Sequence, residues 1–562
     1  MNPYNTIRPI AALVLLTAIF LACQREPADT VFTNARIYTL DHENPIAESM
    51  VVRGERIIYA GDEPGAMEVA GSRAHVIDLE GQTVIPGLTE SHMHFEGLGR
   101  NMLLAPLDIY WLPLDELTAK LQEAVKEAEE GAWIIARGYN DAIWDETPHR
   151  SMLDEVSPEN PVVLRRYCGH AHFVNSMALQ EAGVTADTQD PDAGSIVKDP
   201  QGEPSGVLVS AAGALVTEHI PPDTELTDEE ELEALRLGSD ALLEAGITTV
   251  HDMTRSDLFE VARRSEAYEK GLLRVRLMDA VDAETARIMD EPFIGLHGDR
   301  YTIRWVKKFV DGSLGGRGAA LLDPYDDVPG ETGALRALGQ DEEAYANLVA
   351  ELLELGFSTR THSIGDRGNR ITLNAFEQAM EMTGKTPEEA RLVVEHAQIL
   401  HPDDVARFAD SRIIASMQPV HATEDMLFVE DRIGEERALA GAYAWRSILD
   451  QNGVIAAGSD YGVSPYNPFY GLHAAVTRQD RENNPPGGWI PEQRMTRQEA
   501  LEAYTTGPAY VEFSEDQKGK LKEGMLADFI VIDRDYFEIP KDEIHEIKVL
   551  KTVVGGEVVY EW

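Results

Sequence analysis

Residues 342–362 read EEAYANLVAELLELGFSTRTH: a helix-length amphipathic stretch, a glycine at position 356, and a short run that ends on His362. The apolar residues of the first part recur at the spacing of one helix face, whereas Phe357 to His362 has the length of a strand. The same order of helix, stop and strand returns several times after Thr227. Such alternation is typical of parallel strands that are connected by crossover helices.

Eight strands of this kind can be identified, which is the number that closes a (β/α)₈ barrel. The first two are separated by roughly 150 residues, which is too long for an ordinary loop. We therefore expect a metal-binding barrel at residues 87–96 and 226–505, and an inserted, substrate-proximal subdomain at residues 97–225 with an amphipathic helix over Leu114 to Glu129. The strands are expected at Thr83 to His94, Ile247 to His251, Arg274 to Met278, Ile303 to Asp311, Phe357 to His362, Arg391 to His396, Arg412 to Gln418 and Val454 to Asp460.

Both ends of the chain outside this barrel are rich in short β-type runs that are separated by turn residues. The pattern covers residues 30–86 and 506–562, and two such segments could pair into one small sandwich. The expected fold is thus of the α/β class: a TIM-type barrel with a composite β-sandwich built from both terminal segments, and an inserted subdomain.

The composition excludes several classes of protein. The chain has 562 residues, and a hydrophobic share of 43% supports a packed core. The formal net charge of −49 would repel phosphate backbones, so we expect no nucleic-acid partner. The only cysteines are Cys23 and Cys168, which excludes a disulfide framework and a cysteine-based zinc cluster.

The first 22 residues have the composition of a signal peptide. They contain one charge, Arg8, and the apolar stretch Ile10 to Ala22, which is shorter than a membrane-spanning helix. This stretch ends at Leu21-Ala22-Cys23, which resembles a bacterial lipobox, so that Cys23 would carry the lipid anchor and residues 23–29 would form a tether. We expect an exported, membrane-anchored lipoprotein of a bacterial cell envelope, with a periplasmic or secreted protein as the alternative.

Candidate metal ligands end several of the predicted strands. His92 and His94 are two residues apart, so their side chains point the same way from a strand. His362, His396 and Asp460 each end a different predicted strand. Because the carboxyl ends of barrel strands converge on one mouth, this pattern predicts a nitrogen and oxygen site suited to zinc or a similar divalent ion.

With these motifs the sequence resembles the metal-dependent amidohydrolase superfamily, and within it amidohydrolase family 3, which includes N-substituted formamide deformylase-like proteins. The resemblance covers nearly the whole chain after the predicted signal peptide and implies a β-sandwich beside the barrel. It rests on Pro86-Gly-Leu-Thr-Glu-Ser-His-Met-His94, Gly246-Ile-Thr-Thr-Val-His-Asp252, Val306-Lys-Lys-Phe-Val-Asp-Gly-Ser313, His362-Ser-Ile-Gly-Asp-Arg367, Glu395-His396, Met417-Gln-Pro419, Gly458-Ser-Asp460 and Leu526-Ala-Asp528.

The resemblance implies two metal ions. His92 and His94 would bind the more buried ion with Asp460, while His362 and His396 would hold the second. Lys307, carboxylated by carbon dioxide, would bridge them, with Lys308 as the alternative because neighbours on a strand face opposite ways. The expected cofactor is two zinc ions, or one if Lys307 is not carboxylated.

The chemistry follows from such a centre. A hydroxide bridging two divalent ions is available at neutral pH, and the ions polarise a carbonyl. Asp460 would pass the proton to the leaving nitrogen as the catalytic carboxylate. We expect a hydrolase that cleaves a non-peptide carbon–nitrogen bond in an N-acyl, N-formyl or small amide substrate. An esterase, lactonase or carbamate hydrolase with the same centre is an alternative, as is a non-catalytic ligand-binding surface lipoprotein.

Three further residues are candidates for substrate contact. By the same resemblance, His170 precedes an Asn-Ser pair, Asn175-Ser176, and faces the substrate from the inserted subdomain. Arg367 and Gln418 are expected to shape the pocket. The expected partner is a small-molecule substrate of open identity, and whether the chain forms a homo-oligomer is left open.

Overall fold

The structure, a computed structural model, describes residues 29–104, 107, 109–110, 112–166, 171–191, 194–220 and 226–562. The predicted signal peptide, Cys23, Cys168 and the candidate His170 therefore lie outside the described residues. Within the described ranges, every helix is too short or too polar to span a bilayer.

Eight parallel strands form a nearly closed barrel, as the sequence predicts. Their order around the sheet follows the chain. The last strand meets the first through a bridge between Met93 and Tyr461, and through a 2.7 Å hydrogen bond from the Asp460 N–H to the His92 carbonyl. The strands are β1 (Leu88–Met93), β2 (Ile247–Ser256), β3 (Arg276–Val281), β4 (Tyr301–Phe309), β5 (Ser358–Ser363), β6 (Val393–His396), β7 (Ile414–Met417) and β8 (Ile455–Ala457).

Amphipathic helices cover the outside of this barrel. The helix Glu342–Glu354 is typical: the Asp341 side chain caps its first turn, and Gly356 adopts a φ of +88° just before β5. The longer barrel helices are Phe95–Leu104, Asp228–Glu244, Leu258–Glu269, Ala283–Met289, Glu342–Glu354, Asp366–Thr383, Pro402–Asp410, Pro419–Asp425, Glu435–Gly441, Trp445–Asp450, Pro468–Thr477, Arg497–Ala503 and Thr506–Val511.

The stretch that was predicted as one strand from Thr83 to His94 is two strands. Thr83–Pro86 pairs with Arg36–Tyr38 and Phe529–Ile532 outside the barrel, and only Leu88–Met93 belongs to it. The break falls at Gly87, where a Cβ atom would lie 2.4 Å from the Thr248 hydroxyl. The close approach of the second barrel strand therefore requires a glycine at this junction.

The two ends of the chain fold together into a β-sandwich, as predicted. The rings of Phe32 and Phe529, one from each end of the chain, pack edge to face at 4.9 Å in its core. One sheet contains Arg56–Gly61, Ser49–Arg53, Thr30–Thr33 and His75–Asp78; the other contains Glu557–Glu561, Val549–Val554, Phe529–Ile532, Thr83–Pro86, Arg36–Tyr38 and Ile46–Ala47.

The segment between β1 and β2 contains a five-stranded sheet that was not predicted. The predicted helix is present at Leu114–Glu127, and it buries Leu117 and Leu121 against one face of this sheet. In spatial order the strands are Gly194–Lys198, Pro204–Ser210, Ala171–Val174, Val162–Arg166 and Ile134–Tyr139.

Candidate metal centre

Three predicted ligands meet at the carboxyl end of the barrel. His92 lies in β1, His94 follows it, and Asp460 follows β8. The Nε2 atoms of His92 and His94 lie 3.6 and 3.5 Å from the Asp460 Oδ1 atom. His92 and Asp460 are buried, whereas the His94 side chain is 41% exposed. His94 is therefore on the solvent-facing side of this group.

A second group shares Asp460 with the first. His396 ends β6, and His421 lies in the helix Pro419–Asp425. One ring nitrogen of His396, one ring nitrogen of His421 and one Asp460 oxygen all lie within 4.8 Å of one another. The predicted ligand His362 lies beside them, with its ring centre 4.5 Å from that of His396. Two sets of nitrogen and oxygen donors thus adjoin one carboxylate.

The donor set fits divalent ions. The Nε2 atoms of His362 and His421 and the Oδ1 atom of Asp460 are buried and have no hydrogen-bond partner within the described part of the chain. Unsatisfied buried polar atoms are costly, and they are rare unless something else satisfies them. Imidazole and carboxylate are ligands that suit zinc and similar ions, so a bound metal would satisfy these atoms.

Lys307, and not Lys308, reaches the cluster. The Lys307 Nζ atom lies 3.4 Å from the His92 Nε2 atom, and the side chain is buried. Burial lowers the pKa of the Lys307 amine to about 8, which increases its neutral fraction. Lys308 is half-buried and points from the opposite face of β4.

Burial also sets the protonation state of the histidines. It lowers the pKa of His421 to about 4 and that of His396 to about 3. These imidazoles are therefore neutral near pH 7, which is the form that binds metals. Burial raises the pKa of the Asp460 carboxyl to about 7.

A buried ion pair between Glu395 and Arg360 contacts the Nδ1 side of the His92 ring. The His92 Nδ1 atom hydrogen-bonds to the Glu395 carboxylate, whose other oxygen accepts from Arg360. Burial alone would raise the pKa of Glu395, but the positive charge of Arg360 and the contact with His92 hold it well below its usual range. The Nε2 atom of His92 is thus left to face the cluster.

This support continues to the opposite end of the barrel. Arg360 donates to the His251 Nδ1 atom at 2.8 Å, and the His251 Nε2 atom lies 2.6 Å from a Glu512 oxygen. Glu512 in turn forms an ion pair with Lys518. All of these side chains are buried, so they form a continuous polar chain through the barrel interior.

The backbone at two ligand positions is constrained. His396 and Asp460 adopt φ values of 75° and 56°, which are uncommon for residues other than glycine. Near Asp460, a Cβ atom on Gly458 would lie 2.3 Å from a Glu90 oxygen, and that same oxygen accepts the Ser459 N–H at 2.8 Å. The turn that carries Asp460 is therefore packed directly against β1.

The other predicted site residues lie further from the centre. The Gln418 Oε1 atom is 2.8 Å from the His396 Nδ1 atom, so Gln418 orients a candidate ligand. Arg367 is exposed and lines a surface groove together with Asp341 and Arg370. None of the candidate ligands lines this groove. Its neighbours Asp366 and Gly368 in the first turn of the helix Asp366–Thr383 are buried, so Arg367 lies on the outer face of that turn.

Sequence reasoning missed His421 as a ligand candidate. It lies in a helix rather than at a strand end, so the strand pattern gave no signal for it. It also missed the supporting role of Glu395 and Arg360, although Glu395 belongs to the Glu395-His396 motif. An arginine in the middle of the predicted strand Phe357 to His362 was the available signal for a charged partner inside the barrel.

The chain is similar to known proteins over most of its length. A model of the amidohydrolase family matches residues 75–560. Putative amidohydrolase YtcJ of Bacillus subtilis (strain 168) is 33% identical, over 93% of this chain and 98% of its own length. N-substituted formamide deformylase of Arthrobacter pascens is 28% identical, over 95% of this chain and 98% of its own length. An uncharacterized metal-dependent hydrolase from Pyrococcus furiosus matches in structure with a TM-score of 0.70 at 27% identity, over 91% of this chain and 100% of that one.

Proposed function

This chain belongs to the amidohydrolase family, and on that premise we propose that it cleaves a non-peptide carbon–nitrogen bond in an N-acyl, N-formyl or small amide substrate. The observation that carries the proposal is the position of Asp460. Its carboxylate is buried between the pair His92 and His94 and the pair His396 and His421. A proton carrier that adjoins both donor sets is what hydrolysis of an amide at such a centre requires.

The two donor sets contain the residues that would hold metal ions. His92, His94 and Asp460 would hold one zinc ion, and His396 with His362 or His421 would hold another. When bound, such ions polarise a carbonyl and lower the pKa of water. We also propose that Lys307 is carboxylated, because its buried amine has the lowered pKa that reaction with carbon dioxide needs.

Asp460 has the properties of a proton carrier. Its Oδ1 atom has no hydrogen-bond partner among the described residues, and burial raises the pKa of its carboxyl, which favours uptake of a proton. An amide nitrogen is a poor leaving group as an anion, so it must be protonated as it departs. The open side next to His94 gives the substrate access to this carboxylate.

We propose that the aromatic residues that follow Asp460 supply an apolar wall to the substrate site. Tyr461 is buried, its ring centre lies 5.5 Å from that of Tyr466, and its carbonyl accepts the His94 N–H at 3.0 Å. A wall of this kind suits the hydrocarbon part of an amide. The name of the Arthrobacter pascens relative supports N-substituted formamides as the first substrates to test.

The experiment uses zinc-loaded full-length protein and a panel of N-alkyl and N-aryl formamides with the matched formate esters. Release of formate is measured for the wild type, for Asp460→Asn, and for wild type stripped of metal with a chelator. We expect formamide hydrolysis that needs both Asp460 and metal. Hydrolysis of the esters alone would instead support the esterase alternative, and no metal-dependent hydrolysis of any formamide would overturn the proposal that N-formyl substrates are cleaved.

We also propose export and anchoring through Cys23, which rest on the sequence alone. The support is the apolar stretch Ile10 to Ala22 directly before the cysteine. Expression of the full chain in a bacterial host tests this proposal by fractionation and mass analysis of the amino terminus. Lipid on Cys23 in the membrane fraction, lost in Cys23→Ala, is the expected result, and an unprocessed chain in the cytoplasm would contradict it.

A further inference from the structure

Two arginines lie side by side on the inserted sheet. Arg137 in the strand Ile134–Tyr139 pairs in register with Arg165 in the strand Val162–Arg166, and Arg165 pairs with His172 on the next strand. Residues directly opposite each other on neighbouring strands present their side chains on the same face. The other face of these strands packs against the helix Leu114–Glu127. The row of Arg137, Arg165 and His172 therefore lies on the face opposite that helix.

Arg137 and Arg165 place two positive charges side by side on this face. Like charges that are directly opposite on adjacent strands destabilise a sheet. The Arg137 Nε atom is also buried without a hydrogen-bond partner in the ranges that the structure describes, and so is the Nδ1 atom of His172. Acidic residues are abundant in a chain of net charge −49, so an ion-pair partner would have been easy to supply. Among the residues that the structure describes, no acidic side chain forms an ion pair with Arg137, which points to an external anion.

The row adjoins the open side of the metal centre. A Cβ atom built on Gly462 would lie 3.4 Å from the His94 Cδ2 atom and 3.6 Å from the Arg137 Nη2 atom. His94 and Arg137 thus face each other across one glycine.

We propose that Arg137 and Arg165 bind an oxyanion group of the substrate, a carboxylate or a phosphate, while the bond to be cleaved lies at Asp460. Binding of the oxyanion rests on the sheet geometry, whereas the position of the bond to be cleaved rests on the proposed function. An arginine presents several donors in a fixed plane, which matches the oxygens of a carboxylate or a phosphate. Because Arg137 adjoins His94, the anionic group is only a few bonds from the scissile bond.

The first test measures anion binding without turnover. Zinc-loaded full-length protein is titrated calorimetrically with glutarate, with inorganic phosphate, and with the neutral glutaramide. We expect at least one of the two anions to bind and glutaramide not to bind. The anion that binds more tightly shows whether the substrate group is a carboxylate or a phosphate. In Arg137→Gln the affinity should fall by about tenfold to a hundredfold, since hydrogen bonds to charged groups are the strong ones. Arg137→Lys, which keeps the charge, should lose less.

Arg287→Gln is the matched control. Arg287 is an exposed arginine paired with Glu351 on the outside of the barrel, so its loss should leave anion affinity unchanged. Circular dichroism and metal content establish that each variant is folded and loaded. Equal affinity in wild type, Arg137→Gln and Arg165→Gln would overturn the proposal, as would equal binding of glutaramide or no anion binding at all.

The second test separates the subsite from the proposed reaction. N-Formylglycine and its neutral amide, N-formylglycinamide, present the same scissile bond with and without a carboxylate. We expect kcat/KM to favour N-formylglycine by about tenfold or more in the wild type, and Arg137→Gln to abolish that preference. Equal rates for the two substrates would overturn the subsite and keep the hydrolase. Arg137-dependent anion binding without any hydrolysis would support the subsite and count against the proposed function.

Discussion

The Nδ1 atom of His92 hydrogen-bonds to the carboxylate of Glu395, a residue directly before another candidate ligand. Both side chains are buried, and Arg360 holds the opposite oxygen of the carboxylate. This contact fixes the ring so that only Nε2 faces Lys307 and Asp460. One ion pair inside the barrel thereby orients a metal ligand and joins β1, β5 and β6.

We predict that Glu395→Gln weakens zinc binding by about 10- to 100-fold, because a metal-ligating histidine depends on the group that fixes its other nitrogen. The variant should also lose about 3–5 kcal/mol of unfolding free energy, since Arg360 is left buried without its counter-charge. Competitive zinc titration and urea denaturation measure the two effects. Glu351→Gln, which removes a carboxylate from an exposed pair, should change stability by less than about 0.5 kcal/mol. Unchanged zinc affinity in Glu395→Gln would contradict the assigned role.

Replacing Lys307 by Ala should remove one of two zinc ions. The buried amine lies 3.4 Å from the His92 Nε2 atom, and a small carboxylic acid added in solution should partly restore activity by replacing the carboxylated side chain. Metal analysis and rates with and without acetate check this. Lys308→Ala, a neighbour that is half-buried on the opposite face of the strand, is the control and should keep both ions. A metal count that is the same in both variants would exclude Lys307 as the bridge.

Asp460→Asn should keep the fold and much of the bound metal, but lower kcat by about 10²-fold or more because the proton carrier is lost. Asparagine is the appropriate replacement, since it tolerates the φ of 56° at this position better than most residues do. Formate release and metal content are measured on the same preparation. Turnover near the wild-type rate would remove Asp460 from the reaction.

Stability should fall as the pH drops from 6.5 to 4. Burial lowers the pKa of His251 to about 4, and its Nδ1 atom already lies against an Arg360 donor, so a proton there faces a positive charge. A base with a depressed folded-state pKa contributes stability that is lost on acidification, here by up to about 1.4 kcal/mol per pH unit. Urea denaturation across this range should show a smaller slope for His251→Asn than for the wild type.

His149→Asn is measured in parallel between pH 4 and pH 6.5, as a histidine replacement at a partly exposed position. Parallel stability curves for the wild type and His251→Asn would show that His251 does not titrate in this way.

The barrel could be predicted because its helices and strands differ in period and length. Glu342 to His362 contains both patterns, and the observed helix Glu342–Glu354 and strand Ser358–Ser363 lie within the predicted bounds. The junction at Gly87 could not be located in the same way. Pro86-Gly87 is a turn-type pair inside Thr83 to His94, but whether the strand breaks there depends on the approach of Thr248, which is distant in sequence.

The metal centre was partly predictable for a related reason. His92, His362, His396 and Asp460 lie at or near strand ends, where barrel topology alone brings side chains together. His421 could not be found this way, since its place depends on how the short helix after β7 packs against Asp460. The row of Arg137 and Arg165 could not be predicted from the sequence either, because these residues become neighbours only through the register of the inserted sheet.

The most direct measurement is anomalous diffraction at the zinc edge from crystals of the zinc-loaded protein. We predict two strong peaks at the carboxyl end of the barrel, one bounded by His92, His94 and Asp460 and the other by His396 with His362 or His421. Peaks only at surface carboxylates, or none within reach of Asp460, would contradict the assignment of this cluster as the metal centre of a hydrolase.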